Sequence, residues 1–282
     1  IKATVESIGG RLQSVGAPGA GAVLMSGNYW ATANRDTGET VFPRPGFKPD
    51  KDHPWIGDPF GDGNDMESAR KVRHALAMAI DRELLVEKIR GGLGAPAYTY
   101  TEFRPDQVGI WRDEWFIPYD PDGARQLLTD AGHSDGFSMT LMQNGIDLPM
   151  AEAIGQMWQA IGVDVTIDTT AYDAVRPSVV NRSVDNPLFH GCPCSLPDEA
   201  IGLLMRPATG NGRGIELPDE ISDLTYANFT EPDRQKRINN NVELQNWLSE
   251  WRLTVPHVAS QGTLFAVAST VVEWTPHQSK FG

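Results

Sequence analysis

The chain has 282 residues, 40% of them hydrophobic and 22% charged, which is enough to bury one large core or two modest ones. Its 24 basic and 37 acidic side chains give a formal net charge of -13, which repels nucleic-acid phosphates and anionic lipid headgroups. These values argue against a general nucleic-acid or membrane-surface role, and no apolar run in the sequence is long enough to span a bilayer.

The first part of the chain, residues 1–65, is rich in glycine and proline and predicts little regular structure. A short apolar strand is predicted over residues 22–33, and a long irregular segment follows it. A segment of this length is expected to serve a function or to pack against another part of a protein. Tryptophans in irregular segments can line a ligand groove or pack a loop, and they stand at Trp30, Trp55, Trp111 and Trp115.

From Met66 onward, apolar residues recur at three- and four-residue spacing, and glycine ends the run. This pattern predicts one amphipathic helix over residues 66–91. A second helix is predicted after Asp120. That aspartate is a good cap, Pro121 occupies the first helical position, and Gly132 follows the end.

Strands and helices alternate through the middle of the chain. Alternating apolar residues predict strands over 137–142 and 163–170, and a short apolar run over 186–191 predicts a third strand. A helix closed by Gly162 is predicted over residues 151–162. This order favours an α/β fold built on a mostly parallel sheet.

The last third of the chain predicts more helix and then strands. Short helices are expected over residues 196–205 and 217–229, each starting near a proline. A longer helix is expected over residues 231–252, with Thr230 as its cap and Pro232 in its first turn. Strands are predicted over residues 254–260, 264–269 and 271–276.

Both cysteines of the chain lie in the stretch FHGCPCSLPDE, where Cys192 and Cys194 follow His190. A structural zinc needs four tetrahedral ligands, and the sequence offers no second pair at finger-like spacing. A disulfide between residues two apart closes a small strained ring, and a thiolate nucleophile needs a base such as His190. The metal site, the disulfide and the thiolate nucleophile are three alternatives. In a fourth interpretation, the two cysteines are small residues that pack at the end of a strand.

Motifs that would indicate catalysis are missing from the sequence. It contains no HExxH, no GxSxG, no Walker loop and no GxGxxG after a strand. The acidic stretch after Asp58 has Phe60 and Ala69 at the third and twelfth positions, where a calcium loop carries ligands. The sequence therefore predicts no catalytic residue, no cofactor and no bound metal.

The stretch KVRHALAMAIDRELLVEKIRGGLGAPAYTY resembles the second lobe of the family 5 extracellular solute-binding proteins, the oligopeptide- and dipeptide-type receptors of ABC importers. Later stretches follow in the family's order: PYDPDGARQLLTDAG, a helix ending in QAIGVDVTI, HGCPCSLPDE, a long late helix and a closing VEWTP. The likeness covers residues 22–276, and it is carried by the ordered set rather than by any single motif.

The resemblance implies an α/β fold of the periplasmic-binding-protein-like type II, or clam-shell, class. Family members are about twice as long, so the chain is expected to supply the second lobe with segments of the first. Residues 1–65 would form the end of a first-lobe segment and a crossing region, residues 66–258 the second lobe, and residues 259–282 a return segment toward the first lobe.

The same resemblance implies where a ligand binds. Peptide-binding relatives carry Gly-Trp, two small residues and an aspartate that pairs with the ligand's α-ammonium. Here Gly191 matches the glycine, but Cys192 replaces the tryptophan and Ser195 replaces the aspartate. A serine cannot replace that charge, which contributes about 2 kcal/mol, so Asp198 or Glu199 takes it over or the ligand lacks an amine. The predicted ligand contacts are Trp30, Thr32, Gly191, Cys192, Pro193, Cys194, Ser195 and Asp198.

The resemblance implies a monomeric substrate-binding component of an ABC importer, without catalytic activity, in the periplasm or outside the cell at its envelope. It would deliver a small polar solute, such as a peptide-like compound, a sugar or an opine, to permease subunits. It would bind no nucleic acid and meet the membrane only through the permease or a lipid anchor. The alternatives are a thiol-dependent hydrolase or redox enzyme that uses Cys192 or Cys194 with His190, and a stand-alone interaction module.

Overall fold

The computed structural model describes residues 2–15, 20–34, 37–41, 45–100, 109–143, 147–190, 214–228, 230–259 and 263–271. The helices are α1 (Lys2–Ser7), α2 (Asn64–Met78), α3 (Arg82–Leu84), α4 (Pro121–Asp130), α5 (Leu148–Gln159), α6 (Tyr172–Val180), α7 (Asp219–Asn228) and α8 (Arg234–Trp251). The strands are β1 (Arg11–Val15), β2 (Ala20–Leu24), β3 (Ala95–Pro96), β4 (Phe137–Met142), β5 (Val163–Asp168), β6 (Leu188–His190), β7 (Thr254–Ala259) and β8 (Thr263–Val267). A π-helical turn (Leu85–Ile89) continues α3, and a 3-10 turn (Asp113–Trp115) precedes α4.

The larger sheet has six strands in the order β3-β7-β2-β6-β4-β5. β4 runs parallel to β5 and to β6, whereas β2 runs antiparallel to β6 and β7, and β3 runs antiparallel to β7. The expectation of a mostly parallel sheet was therefore wrong. Parallel neighbours need a crossover, which α5 supplies between β4 and β5. β2 and β7 run antiparallel, because the chain enters the larger sheet along β2 and leaves it along β7 toward β8.

A second sheet consists of β1 and β8. These strands pair antiparallel from Arg11 opposite Val267 to Val15 opposite Thr263. In the larger sheet, β2 and β7 then pair from Ala20 opposite Ala259 onward. The same two parts of the chain therefore lie side by side in both sheets.

Helices cover both faces of the larger sheet, so that its central strands are buried on each side. On one face, residues of α2, α4 and α5 such as Leu76, Leu128 and Trp158 form a core with Val23 of β2. On the other face, residues of α7 and α8 form a second core with Leu24 of β2. The period-two alternation of side chains in β2 explains why consecutive residues enter different cores.

The predicted helix over residues 66–91 is not continuous. It breaks after α2, and the carboxylate of Asp81 caps α3 by accepting a hydrogen bond from the third residue beyond it. The buried guanidinium of Arg82 donates to the carbonyls of Ala77 and Ile80, both at 3.1 Å. These carbonyls would accept backbone hydrogen bonds in a continuous helix, so the arginine stabilises the break.

The sequence predicted the cap of α4 correctly and the cap of α8 wrongly. The Asp120 carboxylate accepts from the backbone N–H of Gly123 at 2.8 Å and caps α4, as the sequence predicted. The long helix α8 begins later than predicted, because the Asp233 carboxylate accepts from the backbone N–H of Lys236 at 3.0 Å. Asp233, and not Thr230, is therefore its cap.

The predicted strand over residues 22–33 was also too long. β2 ends at Leu24, and the chain then turns irregularly, because the side chain of Asn28 donates to the carbonyls of Met25 and Trp55. The predicted helix over 196–205 and most of the predicted strand over 271–276 lie outside the described residues.

Candidate functional site

The candidate site lies at one edge of the larger sheet, where its parallel strands end. β4 and β5 run in the same direction, and Met142 at the end of β4 pairs with Leu188 at the start of β6. In α/β sheets, ligands bind in the crevice outside the carboxyl ends of such strands. We call this the carboxyl edge and define it by the residues that end or follow these strands, which are Gln143, Asp168, Thr170 and His190.

Hydrogen bonds of polar groups fix the chain at the carboxyl edge, where β5 ends. The backbone N–H of Gln143 donates to the carbonyl of Asp168 at 2.7 Å, so β4 and β5 stay paired past their last apolar residues. The Asp168 carboxylate accepts from the N–H of Thr170 at 2.9 Å and from its hydroxyl at 2.6 Å. A half-buried negative charge is therefore fixed at this edge, where it can pair with a cationic group.

Gln143 and Asp168 were not predicted as site residues from the sequence, although the sequence contains a signal for them. The alternating apolar pattern of residues 137–142 and 163–167 stops in each case at a polar residue, Gln143 or Asp168. The position of a polar residue just past a parallel strand is informative only once the direction of the strand is known.

An ion pair lies at the start of α5. Asp147 precedes α5, and its carboxylate contacts a terminal nitrogen of Arg90 at 2.6 Å. Arg90 follows the π-helical turn and donates its backbone N–H to the carbonyl of Leu85, five residues back, at 3.1 Å. Such turns are rare and frequently occur at functional sites, and this one directs a cation toward the start of α5.

The ring of His257 packs beneath the end of β6. It stacks on Phe189 with the ring centroids 5.0 Å apart and the planes 16° apart. Burial, with smaller contributions from the Arg82 and Arg90 cations, lowers the pKa of His257 to about 3. The imidazole is therefore neutral at physiological pH, and it contributes an aromatic packing surface rather than a charge.

Most of the predicted ligand contacts follow β6. His190 is the last described residue before them, and its backbone pairs with Ala22. The described part of β6 thus ends at the carboxyl edge, directly before the stretch that carries them. The contacts that lie outside the described residues are Gly191, Cys192, Pro193, Cys194, Ser195 and Asp198.

Trp30 and Thr32 follow β2 in the chain, beyond its end at Leu24. In the β2–β6 pair, Leu24 lies opposite Leu188, so the chain toward Trp30 leaves at the end opposite to His190. The Trp30 ring packs edge-to-face against Trp247 of α8, with centroids 5.5 Å apart, and the side chain of Thr32 is exposed. The register does not bring these two residues and His190 to the same end of the strand pair.

A buried ion pair fixes the backbone next to Trp30. The Glu216 carboxylate accepts from the N–H of Ala31 at 3.2 Å and pairs with the guanidinium of Arg182. Both charged side chains are at least nine-tenths buried. The Trp30 segment is therefore tied to the loop before β6 and to the segment that leads into α7.

Two other tryptophans serve the core rather than a groove. Trp55 and Trp115 are 1% and 0% exposed. The indole N–H of Trp55 donates to the carbonyls of Ser26 and Asp185, and that of Trp115 donates to the side chain of Asn246. Both rings satisfy their polar atom inside the protein, which is the usual arrangement for a buried indole.

Within the part of the chain that the structure describes, no three His, Cys, Asp or Glu side chains are grouped to hold a metal ion. In the same described ranges, none of the helices has the length and apolar character needed to cross a bilayer.

Comparisons with known proteins agree with this architecture. The sequence profile of the bacterial extracellular solute-binding proteins, family 5 Middle, matches residues 29–188. The glutathione-binding protein GsiB of Salmonella typhimurium is 44% identical over 71 residues, which cover 25% of this chain and 13% of that protein. A putative ABC transporter peptide-binding protein of Brucella ovis is 26% identical over 233 residues, which cover 73% of this chain and 41% of the relative.

Among solved structures, the dipeptide-binding protein from Pseudoalteromonas sp. SM9913 in complex with Met-Leu superposes with a TM-score of 0.66 at 19% identity. The match covers 95% of this chain and 48% of that one, so the chain spans about half the length of the solved protein. The similarity shows that the two share a fold. These relatives are named as binding proteins, and none of the three is named as an enzyme.

Proposed function

Because the chain belongs to the bacterial extracellular solute-binding proteins of family 5, we propose that it acts as the substrate-binding component of an ABC importer. It captures a small polar solute, such as a peptide-like compound, a sugar or an opine, between two lobes and delivers it to membrane permease subunits. It works in the periplasm or at the cell surface, and it meets the membrane only through the permease or a lipid anchor.

The paired connection between the two sheets carries this proposal. In the chain, β2 follows closely after β1, and β8 follows closely after β7. Each of these two successive pairs therefore connects the small sheet to the large one. Two adjacent segments that cross between two bodies allow hinged closure. Contacts that a solute makes only in the closed form then shift the equilibrium toward that form.

The proposal keeps the division of the chain that the resemblance implies. Residues 1–65 belong to a first-lobe segment and a crossing region, residues 66–258 to the second lobe, and residues 259–282 to a return segment. β2 is the contribution of the first of these segments to the larger sheet.

The proposed ligand wall is the stretch from Gly191 to Asp198, with Trp30 and Thr32 as further contacts. Ser195 gives this wall no charge for a ligand ammonium. The half-buried carboxylate of Asp168 at the carboxyl edge offers one such charge, as does Asp198. A ligand without a free amine, such as a sugar, needs neither of them.

Thermal unfolding of the 282-residue chain in the presence of candidate solutes tests the proposed function. The panel consists of the dipeptide Met-Leu, glutathione, octopine and glucose. A solute that binds the folded chain adds about 2.7 kcal/mol to the free energy of unfolding at a hundredfold excess over its Kd. If no panel member raises the Tm at millimolar concentration, capture of these solute classes by this chain is contradicted.

The substitution Ser195→Asp tests the ligand wall directly. A restored carboxylate pairs with the ammonium of Met-Leu, and a hydrogen bond to a charged group contributes about 1.5–3 kcal/mol, so we expect the Kd of Met-Leu to fall at least tenfold. Ser7→Asp adds the same charge to the exposed face of α1 and should leave the Kd unchanged. An equal gain for N-acetyl-Met-Leu, which has no ammonium, would contradict this reading.

A further inference from the structure

A surface groove with a volume of about 370 Å³ lies between α4, α5 and the end of α3 with its π-helical turn. We call it the α4–α5 groove. Most of the described residues that line it are apolar, and the polar ones are Lys88, Tyr119, Arg125 and Gln156. None of these described lining residues is acidic, on a chain whose formal net charge is -13. Ligand pockets of similar volume are mainly apolar and carry a few polar groups that orient the ligand.

The helix α5 has two apolar faces, and the second of them lines this groove. Ile154 and Trp158 are buried in the core against the larger sheet. Ala153, Met157 and the C-cap residue Ala160 recur at four- and three-residue spacing and lie along the groove. A surface helix usually has one apolar stripe. A second stripe is therefore accounted for by something that covers it.

The opposite wall of the groove comes from α3, its π-helical turn and the residues before α4. Turns of this kind frequently occur at functional sites, and this one contributes Ile89 to the lining. Leu84, the last residue of α3, is 41% exposed, and Tyr119, just before α4, is 54% exposed. Single exposed apolar side chains are common, but several that surround one concave surface indicate a binding surface.

Two cations give the groove a charge opposite to that of the whole chain. The Lys88 ammonium contacts the Glu87 carboxylate at 2.6 Å, and the Arg125 guanidinium contacts the Asp122 carboxylate. Each of these carboxylates is more exposed than its cation, so water competes for both pairs and they bind only weakly. The Arg125 guanidinium also donates to the carbonyl of Ala160 at 3.3 Å, which places it between α4 and α5. An anion in the groove can therefore pair with both cations.

The α4–α5 groove is separate from the carboxyl edge. The helix α5 begins after β4 and ends shortly before β5. Because β4 and β5 run parallel, the last turns of α5 lie toward the end of the sheet opposite to the carboxyl edge. The second half of α5 is the part that lines the groove. A ligand in the groove thus does not occupy the candidate site.

We infer that the α4–α5 groove is a binding site for a small amphipathic carboxylate, a molecule with a short aliphatic body and one carboxylate group. The aliphatic body covers Leu84 and the second apolar face of α5, and the carboxylate accepts hydrogen bonds from Lys88 and Arg125. A doubly charged phosphate fits less well, because Glu87 and Asp122 stay beside the two cations. This site is independent of solute capture between two lobes.

Titration of the 282-residue chain with octanoate, followed by NMR of isotope-labelled methionine methyl groups, tests the site. Met157 lines the groove and its signal should shift, whereas Met139 lies in the core and its signal should not. Decanoate has two more methylene groups and should bind at least fivefold more tightly than octanoate. Octylammonium has an aliphatic chain of the same length and the opposite charge, so it should bind at least tenfold more weakly.

Four charge-removing variants test the two cations. Lys88→Gln and Arg125→Gln should each raise the Kd of octanoate at least fivefold, because each removes a charge-assisted hydrogen bond. Lys236→Gln and Arg234→Gln remove the same charges from exposed positions of α8, which covers the other face of the larger sheet. They should leave the Kd within twofold. An equal loss in all four variants would show general electrostatic attraction and would overturn the inference.

Two leucine variants test the apolar wall. Leu84→Ala should raise the Kd of octanoate at least threefold, because it removes apolar contact with the aliphatic body. Leu148→Ala changes a similarly exposed leucine at the first position of α5 that does not line the groove, and it should leave the Kd within twofold. Equal effects of the two substitutions would contradict the proposed location.

The remaining outcomes concern a different occupant of the groove. If neither octanoate nor decanoate shifts the Met157 signal, the inference is wrong, whichever macromolecule covers the groove. Sedimentation of the ligand-free chain tests for a second copy. A dimer that Leu84→Ala dissociates would show that the groove is an interface between copies, and this result would also overturn the inference.

Discussion

At the scale of single residues, the buried His257 makes the stability of the fold depend on pH. Its pKa is about 3 in the folded chain, against about 6.5 for an exposed histidine. Between these values the unfolded chain binds a proton that the folded chain does not. The free energy of unfolding therefore falls as the pH decreases below 6.5, and this group accounts for a loss of about 2 kcal/mol between pH 7.5 and pH 5.

The substitution His257→Phe isolates this effect. Phenylalanine keeps an aromatic ring against Phe189 and cannot bind a proton, so the loss of stability from pH 7.5 to pH 5 should shrink by about 2 kcal/mol. Urea denaturation of both proteins at the two pH values measures it. His74, whose pKa burial lowers to about 4, is present in both and cancels in the difference. Parallel pH dependences in the two proteins would contradict the assignment.

At the scale of secondary-structure elements, the break between α2 and α3 depends on a capping aspartate. Asp81→Ala removes the acceptor for the first turn of α3, so we expect the free energy of unfolding to fall by about 1 kcal/mol. Glu87→Ala, in the exposed face of the adjoining π-helical turn, should change it by less than about 0.5 kcal/mol. Chemical denaturation of the two variants measures the difference, and equal losses would show that Asp81 has no special role.

Elements with local signals were predictable from the sequence. The helix α4 carries its cap, its proline and its terminal glycine within a few residues, and β4 and β5 show plain alternation. The break after α2 was missed because only part of its cause is local: besides the carbonyls of Ala77 and Ile80, Arg82 donates to those of Ala97 and Pro256, which are distant in the chain. The end of β2 at Leu24 was also missed, because Asn28, in the turn that follows, donates to the distant carbonyl of Trp55 as well as to that of Met25.

The candidate site was only partly predictable for a related reason. The resemblance predicted a ligand wall in the stretch after His190, which stays a prediction, whereas the carboxyl edge depends on which strands are neighbours. Gln143 and Asp168 are far apart in the chain and become adjacent only through the pairing of β4 with β5. Trp30 was assigned to the same site by resemblance, and β2, which precedes it, ends at Leu24 opposite Leu188, at the end of the strand pair away from His190.

At the scale of the whole molecule, the two sheets should differ in local stability. β2 lies between two neighbouring strands and all five of its residues are buried, whereas β1 pairs with β8 in a sheet of two strands. Isolated two-stranded sheets are marginally stable in water. Hydrogen exchange of the 282-residue chain should therefore be at least about a hundredfold slower in β2 than in β1. Equal protection would show that the two sheets unfold as one unit.

The central place of β2 also has a consequence for how the chain folds. This strand is synthesised before both of its neighbours, because β6 begins only at Leu188 and β7 only at Thr254. Until they emerge from the ribosome, an apolar segment with two open edges has no native partner. Long-range pairing of this kind makes folding slow and exposes the nascent chain to aggregation. β2 is thus the strand of the larger sheet whose protection by a chaperone would matter most.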